Sequence, residues 1–152
     1  MNSILINHKA KADINISCFG EVLWDCFPDG KRVGGAPLNV CVRLNALGIK
    51  GSMISAVGDD PLGHELVSFI DDRGVNRDCI AIDPVKSTST VQVTLDKNGS
   101  ASYDIVADTA WDNIALTEDI IEQVNRADVL VFGSLIGRND VSLNTLTALV
   151  EL

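Results

Sequence analysis

The sequence predicts an α/β fold in which a mainly parallel sheet is covered by helices on both faces. Apolar strand patterns alternate with helical patterns over residues 14–74, and the same alternation resumes after residue 117. This order is typical of a parallel sheet whose strands are connected by helices. Between the two stretches, residues 90–106 form two alternating segments joined by a turn. They predict an inserted β-hairpin, which beside an α/β core suggests a lid.

The first predicted strand begins near Ile14 and continues through Trp24, because its residues alternate at first and then become apolar. We expect it to be a central strand, with Asp25 at its carboxyl end. A tight turn follows at residues 28–30, where proline presets one dihedral angle and glycine accepts a positive φ. Residues 31–33 then predict a short edge strand.

Two helices flank the next strand. The first helix opens at residues 34–37 and ends before Gly48. Residues 52–57 predict a strand, and residues 62–70 repeat apolar side chains at helical spacing before Gly74. The face of the first helix that we expect to be buried carries three apolar residues: Val40, Leu44 and Leu47.

The α/β alternation resumes in the last third of the chain. Thr117 is placed to cap a helix that continues to about Asn125, and residues 128–132 predict a buried strand. Helical spacing then continues from Val141 to Leu152 without a glycine, a proline or a basic last turn. This ending predicts a chain that is truncated within a helix. The apolar positions of that last helix are Leu143, Leu146 and Val150.

The composition limits the kinds of partner. Twelve basic and twenty-one acidic side chains give a formal charge of −9, so a nucleic acid or an anionic membrane surface would be repelled. No stretch approaches the length that spans a membrane. The cysteines are widely spaced and form no C-x-x-C pair, which predicts free thiols and a cytoplasmic protein without a metal site. They are Cys18, Cys26, Cys41 and Cys79.

Two common phosphate-binding motifs are missing from the sequence. A dinucleotide fingerprint would require more glycines after the first strand, but Gly20 is followed by the run 21–24, Glu-Val-Leu-Trp. A P-loop ending at Gly30 would require a glycine five positions earlier, where Asp25 stands. Neither motif therefore supplies a nucleotide site here.

A carboxylate, two glycines and an amide form the candidate site. Asp25 follows the first strand, Gly34 and Gly35 open the next helix, and Asn39 lies in its first turn. Ligands of open α/β sheets bind beyond the carboxyl ends of strands, and these groups can hydrogen-bond to hydroxyls while glycines allow close approach. A polyol fits better than an anion, which Asp25 would repel. Spacing alone is equally compatible with a strand end followed by a simple turn.

Two longer runs stand out: Gly-Gly-Ala-Pro-Leu-Asn-Val at 34–40 and Val-Gly-Asp-Asp-Pro-Leu-Gly at 57–63. Together they resemble the amino-terminal half of the ribokinase, or PfkB, family of carbohydrate kinases, and of its fructokinases most of all. The resemblance covers nearly the whole chain after Lys11. Further matching segments lie at 20–25, 28–30, 47–48, 74–75, 110–114 and 132–135.

The resemblance implies a ribokinase-like fold, a three-layer α/β/α (Rossmann-like) sheet with a small β lid. Residues 1–152 would form the amino-terminal portion of one sugar kinase domain, with lid strands at about 31–33 and 88–106. Arg138 has two open interpretations, since it either reaches the site or is a solvated surface arginine. Tyr103 and Ile105 would close over the sugar, or simply pack the hairpin. The implied substrate-binding residues are Asp25, Gly34, Gly35, Asn39, Tyr103, Ile105 and Arg138.

The resemblance also implies ATP-dependent phosphorylation of a primary sugar hydroxyl, with fructose as the first candidate and ATP and Mg²⁺ as cofactors. The family's second signature, which carries the catalytic aspartate, is expected beyond Leu152, so we predict no catalytic residue and no metal ligand here and expect the chain alone to be inactive. Ala107 stands where many fructokinases have an arginine, which leaves the sugar preference open. The alternatives are a non-catalytic sugar-binding fragment and a ketodeoxygluconate or nucleoside kinase of the same family. A homodimer through the lid is a further expectation.

Overall fold

The computed structural model describes residues 13–95, 97 and 100–152. These residues form eight strands: β1 (Asn15–Phe19), β2 (Leu23–Phe27), β3 (Gly30–Gly34), β4 (Lys50–Gly58), β5 (Asn76–Asp83), β6 (Ser89–Leu95), β7 (Ala101–Ile105) and β8 (Val129–Phe132). The helices are α1 (Ala36–Ala46), α2 (Pro61–Asp72), α3 (Glu118–Asn125) and α4 (Asp140–Val150), with 3₁₀ turns at Ala110–Asn113 and Ser134–Arg138.

The strands belong to two sheets of different character. The first is fully parallel in the order β5-β4-β1-β8, and the second has the order β3-β2-β6-β7, with β2 antiparallel to β3 and parallel to β6. We call the second sheet the lid sheet. Its hairpin of β6 and β7 matches the predicted one, although most of the predicted turn at 96–99 lies outside the described residues.

Helices cover both faces of the parallel sheet. On one face, Cys18 of β1 packs in a core with Leu38 of α1 and Leu66 of α2. On the other, Phe19 packs with Trp111 of a 3₁₀ turn and with buried residues of α3 and α4. Successive side chains of the strands point to opposite faces of the sheet and so pack in two separate apolar cores. The predicted three-layer α/β/α fold is confirmed.

The predicted first strand is two strands in two sheets. Gly20 adopts a φ of 136° between β1 and β2, a conformation that glycine enters easily. The chain leaves the parallel sheet there, and β2 pairs with β3 and β6 of the lid sheet. Asp25 therefore lies within a lid strand, and the prediction that it ends a central strand was wrong. The unbroken apolar character of residues 22–24 concealed this change of sheet.

The helix faces differ in part from the predicted ones. α1 buries Pro37, Leu38 and Cys41, whereas Val40 and Leu47 are exposed. In α4 the buried positions include Leu146 as predicted, but the predicted Leu143 and Val150 are exposed. Helical spacing alone did not decide which of two neighbouring apolar stripes meets the sheet.

Two strands at the ends of the described parallel sheet also depart from the predictions. β5 was not predicted, because its first residues, Asn76 to Asp78, are polar and exposed. β8 was predicted as buried, yet Val129 and Phe132 are exposed. Both strands have only one neighbour in this sheet, which accounts for their exposure.

The four cysteines of the described chain are free thiols, of which Cys18, Cys41 and Cys79 are buried and Cys26 is half-buried. Within the same residues, no helix combines the length and the apolar character needed to cross a bilayer.

Candidate functional site

A cavity of about 200 Å³ lies between the lid sheet and the amino end of α1. Five of the predicted site residues meet in or beside it: Asp25, Gly35, Tyr103 and Ile105 line its wall, and Gly34 lies against Asp25. The remaining lining is mostly apolar, with Leu23 and Val91 from the lid sheet and Leu135 after β8. An apolar lining with a few polar groups is typical of ligand sites, although this open cavity is smaller than most of them.

Asp25 supplies a partly buried carboxylate to this cavity. Desolvation by burial raises the pKa of Asp25 above its ordinary value. A side chain at position 34 would collide with the Asp25 carboxylate, since even a Cβ atom there would lie 2.8 Å from its Cγ. Gly34 therefore keeps room for Asp25, which is a packing role at the site.

Gly35 shapes the wall where α1 begins. It has a φ of 107° and is the amino-terminal cap residue of α1, and a Cβ atom there would lie 3.0 Å from the carbonyl carbon of Glu21. Both the conformation and the close approach exclude larger residues. The backbone of the helix start can thus border the cavity directly.

Asn39 does not join these residues in this structure. It is exposed on α1 and is not among the residues that line the cavity, and its backbone N–H donates to the Gly35 carbonyl at 2.9 Å. A sugar-binding role for Asn39 stays a prediction.

The lid residues meet the cavity from β7. Tyr103 lies opposite Val93 and Ile105 opposite Val91 in the antiparallel β6–β7 pair, so the two side chains are on one face of the hairpin. Tyr103 is 62% exposed, whereas Ile105 is half-buried. Ile105 thus belongs to the wall of the cavity, and Tyr103 stands at its rim.

Arg138 lies at the surface, as one of its two predicted interpretations has it, but its guanidinium is paired with protein groups, and a sugar-binding role for it stays a prediction. Its Nε and Nη2 atoms donate to the two carboxylate oxygens of Asp112, at 2.5 and 2.6 Å, and Nη2 also donates to the Val106 carbonyl at 2.8 Å. The guanidinium lies 4.2 Å from the Trp111 ring centroid, and its side chain is 23% exposed. This bidentate pair joins the end of β7 to a buried aspartate, so Arg138 holds the lid hairpin in place and does not line the cavity.

Glu21 is a site residue that the sequence analysis missed. It lines the cavity, is 3% exposed, and accepts the Ala36 backbone N–H at 3.1 Å through Oε1. Desolvation raises the pKa of Glu21, while backbone hydrogen bonds and the charge of Arg138 act in the opposite direction. A charged residue directly after a glycine, inside an otherwise apolar run, was the signal that could have identified it.

The second family-like run, 57–63, lies at the base of the lid and not in the cavity. Asp60 accepts the backbone N–H groups of Gly63 and Thr88, each at 2.8 Å, and the Thr88 hydroxyl accepts the Gly58 N–H at 2.9 Å. Burial acts to raise the pKa of Asp60, but these hydrogen bonds outweigh it and the pKa is lowered. The run therefore fastens the start of β6 to the start of α2.

The described carboxylates do not form a metal centre. Across residues 13–95, 97 and 100–152, no three His, Cys, Asp or Glu side chains are grouped so that they could hold a metal ion.

A parallel sheet between two helical layers, with a second small sheet beside a cavity that two carboxylates line, is the architecture of a lidded α/β protein. Residues 3–151 match the sequence model of the pfkB family of carbohydrate kinases. The chain belongs to this family.

Individual relatives agree with this assignment. A crystal structure of an uncharacterized sugar kinase from Pyrococcus horikoshii in complex with ATP has a TM-score of 0.79 and 31% identity, and the match covers 91% of this chain and 49% of that one. A fructokinase of Vibrio alginolyticus is 35% identical over 106 residues, which is 66% of this chain and 34% of the relative. The fructokinase of Vibrio cholerae O395 was solved with fructose, ADP and calcium bound. It has a TM-score of 0.74 and 25% identity, and the match covers 92% of this chain and 47% of that one.

The chain therefore spans between a third and a half of the length of these relatives. The ribokinase-like fold predicted from the sequence is confirmed for this portion.

Proposed function

We propose that this chain is the sugar-binding part of a fructokinase-like kinase, which phosphorylates a primary hydroxyl of a small sugar with ATP. The observation that carries this proposal is the Asp25 carboxylate, which lies in a small open cavity beside the lid hairpin. The fructokinase names among the relatives, and the fructose in one related structure, support fructose as the first substrate to test.

The chemistry of the cavity favours a sugar. The Asp25 carboxylate accepts hydrogen bonds from hydroxyl groups, while Leu23, Val91 and Ile105 offer apolar surface to the C–H faces of a sugar ring. Burial makes these hydrogen bonds stronger than they would be in water. Asp25 would accept hydrogen bonds from the sugar hydroxyls, and Gly34 would leave room for the Asp25 carboxylate. Tyr103, at the rim, would limit access to the cavity.

The described cavity does not fit ATP. Its carboxylates would repel phosphate oxygens, so we derive no phosphoryl-transfer step from these residues. We assign ATP and Mg²⁺ binding to the part of the family's kinase domain that this chain does not cover. We assign the aspartate that accepts the hydroxyl proton to the same part. The contribution of this chain is to bind and orient the sugar and to limit its contact with water.

Titration calorimetry on the purified chain tests the proposal. We expect fructose to bind, and adenosine and ketodeoxygluconate to bind more weakly. Absence of binding by all three compounds would contradict the sugar-site assignment, and adenosine as the best ligand would favour a nucleoside kinase. Formation of sugar phosphate from ATP at ordinary enzymatic rates, about 1–1,000 per second, would refute our placement of catalysis outside these residues.

Two further expectations belong to the same proposal. β3 and β7 are the outer strands of the lid sheet, and outer strands readily pair with another copy, so we propose a homodimer through the lid. The free thiols of the described chain are compatible with a reducing compartment, and we propose that the protein acts in the cytoplasm.

A further inference from the structure

Glu21 offers the cavity a second carboxylate, at the carboxyl end of β1. We infer that Glu21 is a sugar-binding residue, whose Oε2 atom accepts a hydrogen bond from a substrate hydroxyl. This inference rests on the proposed function and deepens it, because it assigns a second contact and limits the class of substrate. The argument depends on how the two oxygens of Glu21 are used.

One oxygen has a structural task. Gly35 is the cap residue of α1 and has no side chain to cap the helix, and Oε1 of Glu21 accepts the Ala36 N–H in its place. This bond fixes the position of the carboxylate at the positive end of the helix, where a negative charge is favoured.

The other oxygen has no donor within the described protein. Oε2 is buried and has no hydrogen-bond partner among the described residues. A buried acceptor without a donor is destabilising, so a donor brought by the substrate would relieve this cost. The charge of Arg138 acts to lower the pKa of Glu21, but its guanidinium donates hydrogen bonds to Asp112 and to the Val106 carbonyl.

The surroundings of Glu21 leave space for its carboxylate. A Cβ atom at Gly133, just after β8, would lie 3.2 Å from both carboxylate oxygens, which is closer than most real Cβ contacts. Gly133 therefore provides the room in which Oε1 and Oε2 lie. Two strand ends and the start of α1 thus combine to hold one acidic side chain beside the cavity.

Two carboxylates in one cavity select among sugars. Glu21 and Asp25 both line it, and together they would repel a substrate that carries its own carboxylate or phosphate. A neutral polyol can instead donate hydroxyls to both groups. The inference therefore favours neutral sugars over sugar acids such as ketodeoxygluconate.

The test is the variant Glu21→Gln, measured by calorimetry with fructose and with its single-position deoxy analogues. Glutamine keeps an oxygen for the Ala36 N–H but replaces Oε2 with an NH₂ donor. We expect fructose affinity to fall at least about tenfold, in line with the loss of a charged hydrogen bond. One deoxy analogue should bind wild type more weakly, and Glu21→Gln should then cause no further loss with that analogue. The control Glu118→Gln, on the exposed start of α3, should bind fructose as wild type does.

Each other outcome has a defined meaning. Wild-type affinity in folded Glu21→Gln would overturn the inference while leaving the proposed function intact, and so would an equal loss with every analogue, which would indicate a purely structural effect. Failure of wild type to bind any sugar would overturn the proposed function and the inference with it. If Glu21→Gln does not fold, Gly133→Ala decides, because its Cβ would displace the carboxylate. Its fructose affinity should fall several-fold, and an unchanged affinity would overturn the inference.

Discussion

The two glycine-containing runs at 34–40 and 57–63 look equally typical of the family, but they have different tasks in the folded protein. The first borders the cavity through Gly35 and leaves room for Asp25 through Gly34. The second lies at the base of the lid, where Asp60 joins two backbone segments. A motif can therefore be typical of a family without each of its residues bordering the cavity.

Both runs use glycine where backbones approach closely. A side chain at Gly35 would meet the backbone of Glu21, and one at Gly63 would meet the backbone of Gly58. Only the first contact borders the cavity. Substitutions in the second run should consequently act on stability, whereas Asp25, beside the first run, should act on sugar binding.

The largest effect should come from Gly63→Ala. The new Cβ would lie 2.7 Å from the Thr88 hydroxyl and still closer to the Gly58 carbonyl oxygen. The Gly58 carbonyl is part of the backbone, so it cannot move away from the new atom as a flexible side chain could. We expect the free energy of unfolding to fall by about 3 kcal/mol or more. Urea denaturation followed by circular dichroism measures it.

The matched control is Gly137→Ala, since a Cβ atom there would meet nothing within 4 Å. Its free energy of unfolding should stay within about 0.5 kcal/mol of wild type. An equal loss of unfolding free energy in both variants would show that replacing any glycine with alanine has this effect, and that the junction of α2 with β6 is not its cause.

A different kind of effect should come from Asp25→Asn. The amide keeps the shape of the carboxylate but replaces one acceptor oxygen with a donor, so we expect fructose affinity to fall about a hundredfold, or about 2.7 kcal/mol. The free energy of unfolding should not decrease, because burial disfavours the charged form of Asp25. Calorimetry and urea denaturation on the same preparation separate the two quantities.

Asp29→Asn is the control on the same hairpin, because Asp29 pairs with Arg32 in solvent and lies outside the cavity. It should retain the fructose affinity of wild type. If Asp25→Asn lost stability as much as affinity, the proposed division between the two runs would not hold.

The sequence predicted the layers of the fold better than the exact surroundings of the site. Strands and helices with clear periodicity were placed well, such as α3 with its Thr117 cap, where the side chain accepts the Ile120 N–H. Asp25, Gly35 and Ile105 were predicted and meet in one cavity. These residues carry local signals, either a turn chemistry or a motif.

The errors arose where tertiary structure decided the outcome. Apolar residues 22–24 suit either sheet, so only the pairing of β2 with β3 and β6 shows where Asp25 lies. The partner of Arg138 is Asp112, which lies 26 residues earlier in the chain, and no local pattern links them. Glu21 was overlooked because its importance depends on Ala36 and Gly133, which only the fold brings near.

The smallest effect that distinguishes the two runs should come from Asp60→Asn. The amide can still accept one backbone N–H, but its NH₂ group would face the other donor, so we expect a loss of about 1.5 kcal/mol in the free energy of unfolding at neutral pH. The control Asp59→Asn changes the neighbouring carboxylate, which pairs with His64 at the surface, and should be nearly neutral.

The loss in Asp60→Asn should also depend on pH. The native pKa of Asp60 is lowered because the hydrogen bonds from Thr88 and Gly63 outweigh desolvation. The ionised carboxylate therefore stabilises the fold above the unfolded pKa, about 3.9, and this stabilisation disappears as the pH falls through the lower native value. The difference in unfolding free energy between wild type and Asp60→Asn should accordingly be largest near pH 7 and shrink under more acidic conditions. A difference that stays constant down to pH 3 would mean that Asp60 joins α2 to the lid by shape alone, without its charge.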